Sequence, residues 1–253
     1  MVSTVRNPEA KQKDAQRALV VALTCQELFH LGGAEVSSSE PYAPGVAFPL
    51  LQAMQVVNER LLELNPEETL LFDVVLLAAD CQQHQDRIIA TTRHYGLDVS
   101  RFCFCSRDEF THLLLRERTH LFLCTDARQV ATASHTGVAA ALLQPAPSRP
   151  TQQLRVLFCT DPADRPGTSQ QVCQVAGLLG AMRSRLGVAC GALSIILLTV
   201  QGGRESCGRA LLTLRSWGLG VDEAYCLAGA PGGPALSLLA PHILFPDGSA
   251  LQA

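Results

Sequence analysis

The chain is almost without lysine: among 253 residues only Lys11 and Lys13 carry an ammonium group, so beyond them the fixed positive charge is arginine alone. Any mechanism that requires a lysine in the body of the chain is therefore excluded. Long apolar runs are missing too. Stretches such as Val74 to Ala79 fall far below the ~20 residues of a membrane-spanning helix. The opening MVSTVRNPEAKQKDAQ has no apolar h-region, so no signal peptide is expected. A formal charge of −3 and a pI near 6.2 leave no basic footprint for nucleic acid. Zinc-type cysteine spacing is also lacking, since Cys103-x-Cys105 is tighter than the two to four intervening residues that metal pairs use.

Ten cysteines are present, and those inside apolar runs (Cys103, Cys105, Cys124, Cys226) read as small buried hydrophobes in a reduced, cytosolic protein. Apolar strands alternate with helix-spaced segments. The expected elements are strands at 18–24, 72–79, 101–105 and 120–124, with helices at 48–64, 82–95, 110–117 and 127–143 and a long loop at 32–46. This alternation predicts an α/β fold of right-handed βαβ units on a parallel sheet. PAPSRPTQQ, at 145–153, reads as a linker. The second part then predicts strands at 154–161, 193–200, 223–228 and 242–245, with helices at 172–186, 205–217 and 233–239.

The second part repeats the first. At a constant offset of 122, Arg87, Thr91, Arg93, Gly96, Leu97, Val99 and His120 recur as Arg209, Thr213, Arg215, Gly218, Leu219, Val221 and His242, with Trp217 answering Tyr95. The organisation predicted is a disordered tail over 1–17, a first α/β half over 18–144, the linker, and a second half over 154–253. His120 and His242, recurring before a strand, read as structural, and Tyr95 and Trp217 as plugs at helix ends.

Chemistry in such sheets collects beyond the carboxyl ends of strands. In the second half those turns hold Cys159-Thr160-Asp161, Thr199-Val200-Gln201, the glycine-rich 229–233 and Pro246-Asp247. A magnesium-assisted phosphoryl-transfer site needs a nucleophilic carboxylate, an acid/base carboxylate two residues on, a phosphate-binding hydroxyl, a cation and a further acidic metal ligand. Asp161, Thr199 and Asp247 fill three of these roles. Cys159 stands where the nucleophile belongs, and the cation turn is glycine only.

The stretches PYAPGVAFPLLQAMQVVNERLLEL (41–64), FDVVLL (72–77), HYGL (94–97), RALLTLRSWGL (209–219) and DEAYCLAGAPGGP (222–234) together resemble the cytosolic 5′-nucleotidase type I family of the haloacid dehalogenase-like phosphatases. The resemblance runs from about Ala18 to Gly248. It implies two haloacid dehalogenase-like halves and Mg²⁺-dependent removal of phosphate from nucleoside 5′-monophosphates, AMP in particular. The family's Phe-Asp-Gly-Asp motif falls on Phe158-Cys159-Thr160-Asp161, so the nucleophile becomes cysteine while the acid/base Asp161 is kept. Its phosphate-binding threonine falls on Thr199 and its lysine on Gly232. Of its last acidic pair only Asp247 remains, Pro246 taking the other place. Asp161 and Asp247 are thus the implied Mg²⁺ ligands. The family also places a longer segment between its first two motifs, where only about forty residues separate Phe158 from Thr199 here.

Two functional readings follow. In one, the chain dephosphorylates nucleoside monophosphates, with turnover weak or absent for want of the nucleophile and the lysine. In the other, it is an inactive nucleotide-binding or regulatory protein, pairing as a homo- or hetero-oligomer with a related nucleotidase. Cys159 and Arg165 also satisfy the C-x5-R spacing of cysteine-dependent phosphatases, yet Asp161 and Asp164 would place negative charge in that loop, and Cys81 and Arg87 meet the same spacing. Asp161 and Asp247 have plainer readings as turn or N-cap residues, and Arg204 as a solvated arginine rather than the missing cation.

Overall fold

The computed structural model describes residues 3–12, 14, 16–32, 40–79, 81–106, 109–145, 153–159, 170–187, 190–200 and 203–246, with only the backbone of Gln82 and Arg204. Its first element corrects the expectation of a disordered tail: Ser3–Arg6 forms strand β1, antiparallel to the later strand Arg101–Cys105. Thr4 and Val5, both β-branched, suit that edge, where the missing neighbour leaves backbone groups to be paired.

β2 (Leu19–Thr24) runs into a single turn of helix, α1 (Cys25–Leu28), and then into a small antiparallel pair, β3 (Phe29–His30) just before the expected loop and β4 (Ala43–Pro44) inside it. α2 (Phe48–Leu64) has the expected bounds, with Pro49 in its first turn where no amide is needed. It buries Leu50, Leu51, Met54, Val57 and Leu61, each contributing about 2 kcal/mol. β5 (Phe72–Ala79), α3 (Gln85–His94), β6 (Arg101–Cys105), α4 (Phe110–Arg116) and β7 (Leu121–Cys124) follow. The expected helix 127–143 is two elements. α5 (Ala127–His135) stops where Gly137 turns to φ 86°, and Ala139–Leu143 emerges as the fully buried strand β8.

The second part contributes β9 (Leu154–Cys159), α6 (Gln170–Leu186), β10 (Leu193–Thr199), α7 (Arg204–Ser216), β11 (Glu223–Cys226), α8 (Gly232–Leu239) and β12 (Ile243–Phe245). Ten strands form one sheet in the order β1-β6-β5-β2-β7-β8-β12-β9-β10-β11. Within β6-β5-β2-β7 and within β12-β9-β10-β11 all neighbours are parallel. Numbered in their own chain order, both groups read 3-2-1-4, the Rossmann-like arrangement. β8 runs parallel to β7 but antiparallel to β12, so the second group points the other way and its carboxyl ends lie at the opposite edge of the sheet.

Helices cover both faces. One core cluster joins the sheet to α2, α3, α6 and α7, the other to α4, α5 and α8. α2 packs against α6 across the seam, so a single core serves both groups. α2 and α6 occupy positions 48–64 and 170–186, the same offset of 122 as the sequence repeat. The repeated histidines do the same work. His120 Nδ1 accepts from the Val20 amide at 3.1 Å, and His242 Nδ1 from the Arg155 amide at 3.2 Å; Val20 and Arg155 are the second residues of β2 and β9. Each histidine's own amide also donates back to the same partner's carbonyl.

Candidate active site

The sheet brings the carboxyl ends of β12, β9, β10 and β11 side by side at one edge, where the four expected turns begin. Cys159, the last residue of β9, is buried and pairs in register with Leu198; Thr199 is the next residue of β10. Thr199 is fully buried, and its hydroxyl donates to the Tyr225 carbonyl at 3.4 Å. The chain leaves β11 through a tight turn: Leu227 N donates to Thr199 O at 2.8 Å, and Ala228 and Gly229 take positive φ. Gly232, on which the motif resemblance would put the family's lysine, begins α8 behind an N-cap proline, so no cationic arm reaches this edge from that helix. Pro246 follows β12.

Asp161 and Asp247, with Thr160, Asp164 and Arg165, lie outside the described residues. The structure therefore brings together Cys159 and Thr199 and leaves the two carboxylates and the C-x5-R arginine unplaced. Arg87, the other arginine at that spacing, donates through Nε to the Glu40 carbonyl at 2.8 Å and lies 4.0 Å over the Tyr42 ring. Cys81 donates instead to Ala79 O. That match assembles no phosphate loop.

Cys226 is the residue that pattern reading misplaced. It ends an edge strand and is exposed, rather than buried within an apolar run. The neighbouring Thr199 hydroxyl holds its thiol below the usual range, aided by the backbone amides of Ala228 and Gly203. The buried cysteines behave in the opposite way: burial pushes the Cys103 thiol up to about 11 and that of Cys124 to about 12. All ten cysteines are thiols.

Mg²⁺ takes hard oxygen ligands, usually carboxylates with substrate phosphate. The described part of the edge offers two thiols and a hydroxyl already donating to a carbonyl, which do not fit that ion. Among the described residues no group of three or more His, Cys, Asp or Glu is placed to hold a metal ion.

The 5′-nucleotidase family model matches residues 33–185 and 165–251, which together cover most of the chain and both halves. The chain belongs to the cytosolic 5′-nucleotidase type I family. Human cytosolic 5′-nucleotidase 1B is 32% identical over 238 residues, a match covering 81% of this chain and 39% of that protein. The chain thus spans well under half the length of this nucleotidase relative. Among solved structures, a putative universal stress protein from Pseudomonas aeruginosa UCBPP-PA14 aligns at 10% identity with a TM-score of 0.43, over 88% of this chain and 79% of that one; a likeness this loose bears on neither fold nor function. Among the described residues of this nucleotidase-family chain, no helix is long and apolar enough to cross a membrane.

Proposed function

We propose that this chain keeps the nucleoside 5′-monophosphate frame of its family at the carboxyl ends of β9 and β10, binds AMP there, and releases phosphate weakly or not at all. The observation that carries this reading is the residue ending β9. Where the family has its nucleophilic aspartate, the chain presents the buried thiol of Cys159, beside a Thr199 that occupies the phosphate-binding position. Loss of a covalent nucleophile or of a phosphate-clamping cation costs orders of magnitude in rate, and both are missing here, the latter at Gly232.

Mg²⁺ enters this reading only through Asp161 and Asp247, and when bound it would neutralise charge on the phosphoryl oxygens. Two carboxylates fewer than a full acidic set make its hold weaker. The same reading takes the chain as a cytosolic protein of two haloacid dehalogenase-like halves, 18–144 and 154–253, descended from one duplicated unit. The common strand order, the shared offset of 122 and the paired histidines support that descent. It acts as a nucleotide-binding partner, alone or with a related nucleotidase, rather than as an efficient hydrolase.

Calorimetric titration of AMP with Mg²⁺ into the full chain tests binding apart from turnover. The expected result is saturable binding that Thr199→Val weakens about tenfold, the cost of one hydrogen bond to a charged group. A titration with no heat up to millimolar AMP overturns the proposal.

A further inference from the structure

A cavity of about 320 Å³ opens at the other edge of the sheet, where β2 and β5 end. Its floor includes Thr24 and Leu77, and its walls come from α4 through Phe110 and from α5 through Thr132 and Gln129, with Gln26 of α1 beside them. This is the carboxyl edge of the first 3-2-1-4 group. β2 is the strand from which the order departs to both sides, the place where open α/β sheets hold ligands. The volume lies within the range of small-molecule sites.

The lining chemistry narrows the ligand. Among the described residues, none of the lining side chains is charged. Two carboxylates close in sequence to the lining residues are already committed: Glu27 accepts from the Thr125 amide and hydroxyl at 3.0 and 2.8 Å, and Asp126 caps α5 by accepting from the Arg128 amide at 2.8 Å. With Glu27 and Asp126 beside it and no cation among its described lining residues, the cavity disfavours an anion such as phosphate. Phe110 is braced edge-to-face on Phe122, centroids 5.1 Å apart and planes at 77°, and so offers a fixed ring for stacking. Gln26 and Gln129 each carry a donor beside an acceptor, the pairing that glutamine makes with the N6/N7 edge of adenine.

We propose that this cavity is a binding site for an uncharged purine-type heterocycle, a nucleobase or nucleoside, and that it discriminates against the 5′-phosphorylated form. The inference rests on the first group of strands alone and stands whether or not the second binds or hydrolyses nucleotide.

Adenosine is the probe, titrated calorimetrically into the full chain and into Thr132→Trp, Gln129→Ala and Thr199→Val. Thr132 and Gln129 are exposed at the cavity wall, so replacing them leaves the fold intact, as an unchanged thermal midpoint would verify. Adenosine is expected to bind the parent and Thr199→Val alike, and to weaken at least tenfold in Thr132→Trp and in Gln129→Ala. AMP binding that survives Thr132→Trp would then belong to the other edge. The inference is overturned if adenosine gives no heat up to millimolar concentration. It is equally overturned if Thr132→Trp and Gln129→Ala bind adenosine as the parent does, or if Thr199→Val alone abolishes binding.

Discussion

The two carboxyl edges of the sheet are built from the same strand order and have opposite contents. At the first edge Glu27 holds Thr125 and Asp126 caps α5, around a cavity whose described lining residues are uncharged. At the second, Cys159 and Thr199 end neighbouring strands, at the positions we propose for the family's nucleophile and phosphate ligand, with Cys226 exposed at the end of β11. A shared frame fixes where chemistry would sit but not what it is; that depends on a few residues at strand ends. The amino ends differ as well. Arg101, on β6, is half-buried between Asp73 at 2.5 Å and Glu117 at 3.0 Å, whereas its counterpart cluster joins a more accessible Arg155 to Glu223 at 3.3 Å.

That contrast sets the largest expected effect. Arg101→Met removes the cation from buried Asp73, leaving it the Ser100 hydroxyl, and leaves Glu117 only the exposed Arg116, and should cost about 4 kcal/mol in urea unfolding. Arg155→Met should cost about 1 kcal/mol, because its pair is partly solvated. Equal losses would mean that the two amino edges are electrostatically alike.

Acid sharpens the comparison of the paired histidines. Burial, with Arg155 nearby, pushes His242 down to about 4 from an ordinary 6.5, and burial also lowers His120. A histidine whose folded value is depressed contributes its stability above pH 6.5 and loses it as pH falls towards 4. For His242 this amounts to about 3 kcal/mol when complete. Thermal midpoints of the parent should fall across that window and those of His242→Gln should fall less. Parallel curves would show that His242 carries none of the acid sensitivity.

Smaller effects are expected where the two long helices differ at one shared register. Asn58 of α2 donates to Phe72 O at 2.9 Å and accepts from Phe72 N at 2.8 Å, while Gly180 of α6 admits the Gly218 carbonyl to 2.1 Å from where a Cβ would stand. Asn58→Ala and Gly180→Ala should each cost about 2 kcal/mol, the first through unpaired backbone and the second through overpacking. A neutral Gly180→Ala would show that α6 can move away from the turn after α7.

Much of this frame is readable from the chain. α2, β5 and β6 have the expected bounds because amphipathic spacing, or an apolar run between turn residues, admits only one reading there. β8 was hidden because alanine and leucine fit helix and strand equally; the break at Thr136-Gly137 was its only mark. β1 was hidden because a polar edge strand depends on partner residues 95 to 101 positions away. The turns of the second edge were legible as strand ends, but their order was not, since nothing local announces that β12 lies beside β9 or that β8 reverses the sheet. Exposure of Cys226 was illegible for a related reason: β11 is an edge strand, which becomes evident only once the sheet is assembled.

The measurement that bears most directly on the second edge is phosphate release from AMP with Mg²⁺ by the full chain, beside Cys159→Asp and Cys159→Ser. Release at the level of buffer by the parent and by Cys159→Ser is the expected result, with at most a small gain in Cys159→Asp because the lysine position is still glycine. Steady turnover by the parent that disappears in Cys159→Ser would contradict the account, since it would make the thiol at the end of β9 a working nucleophile.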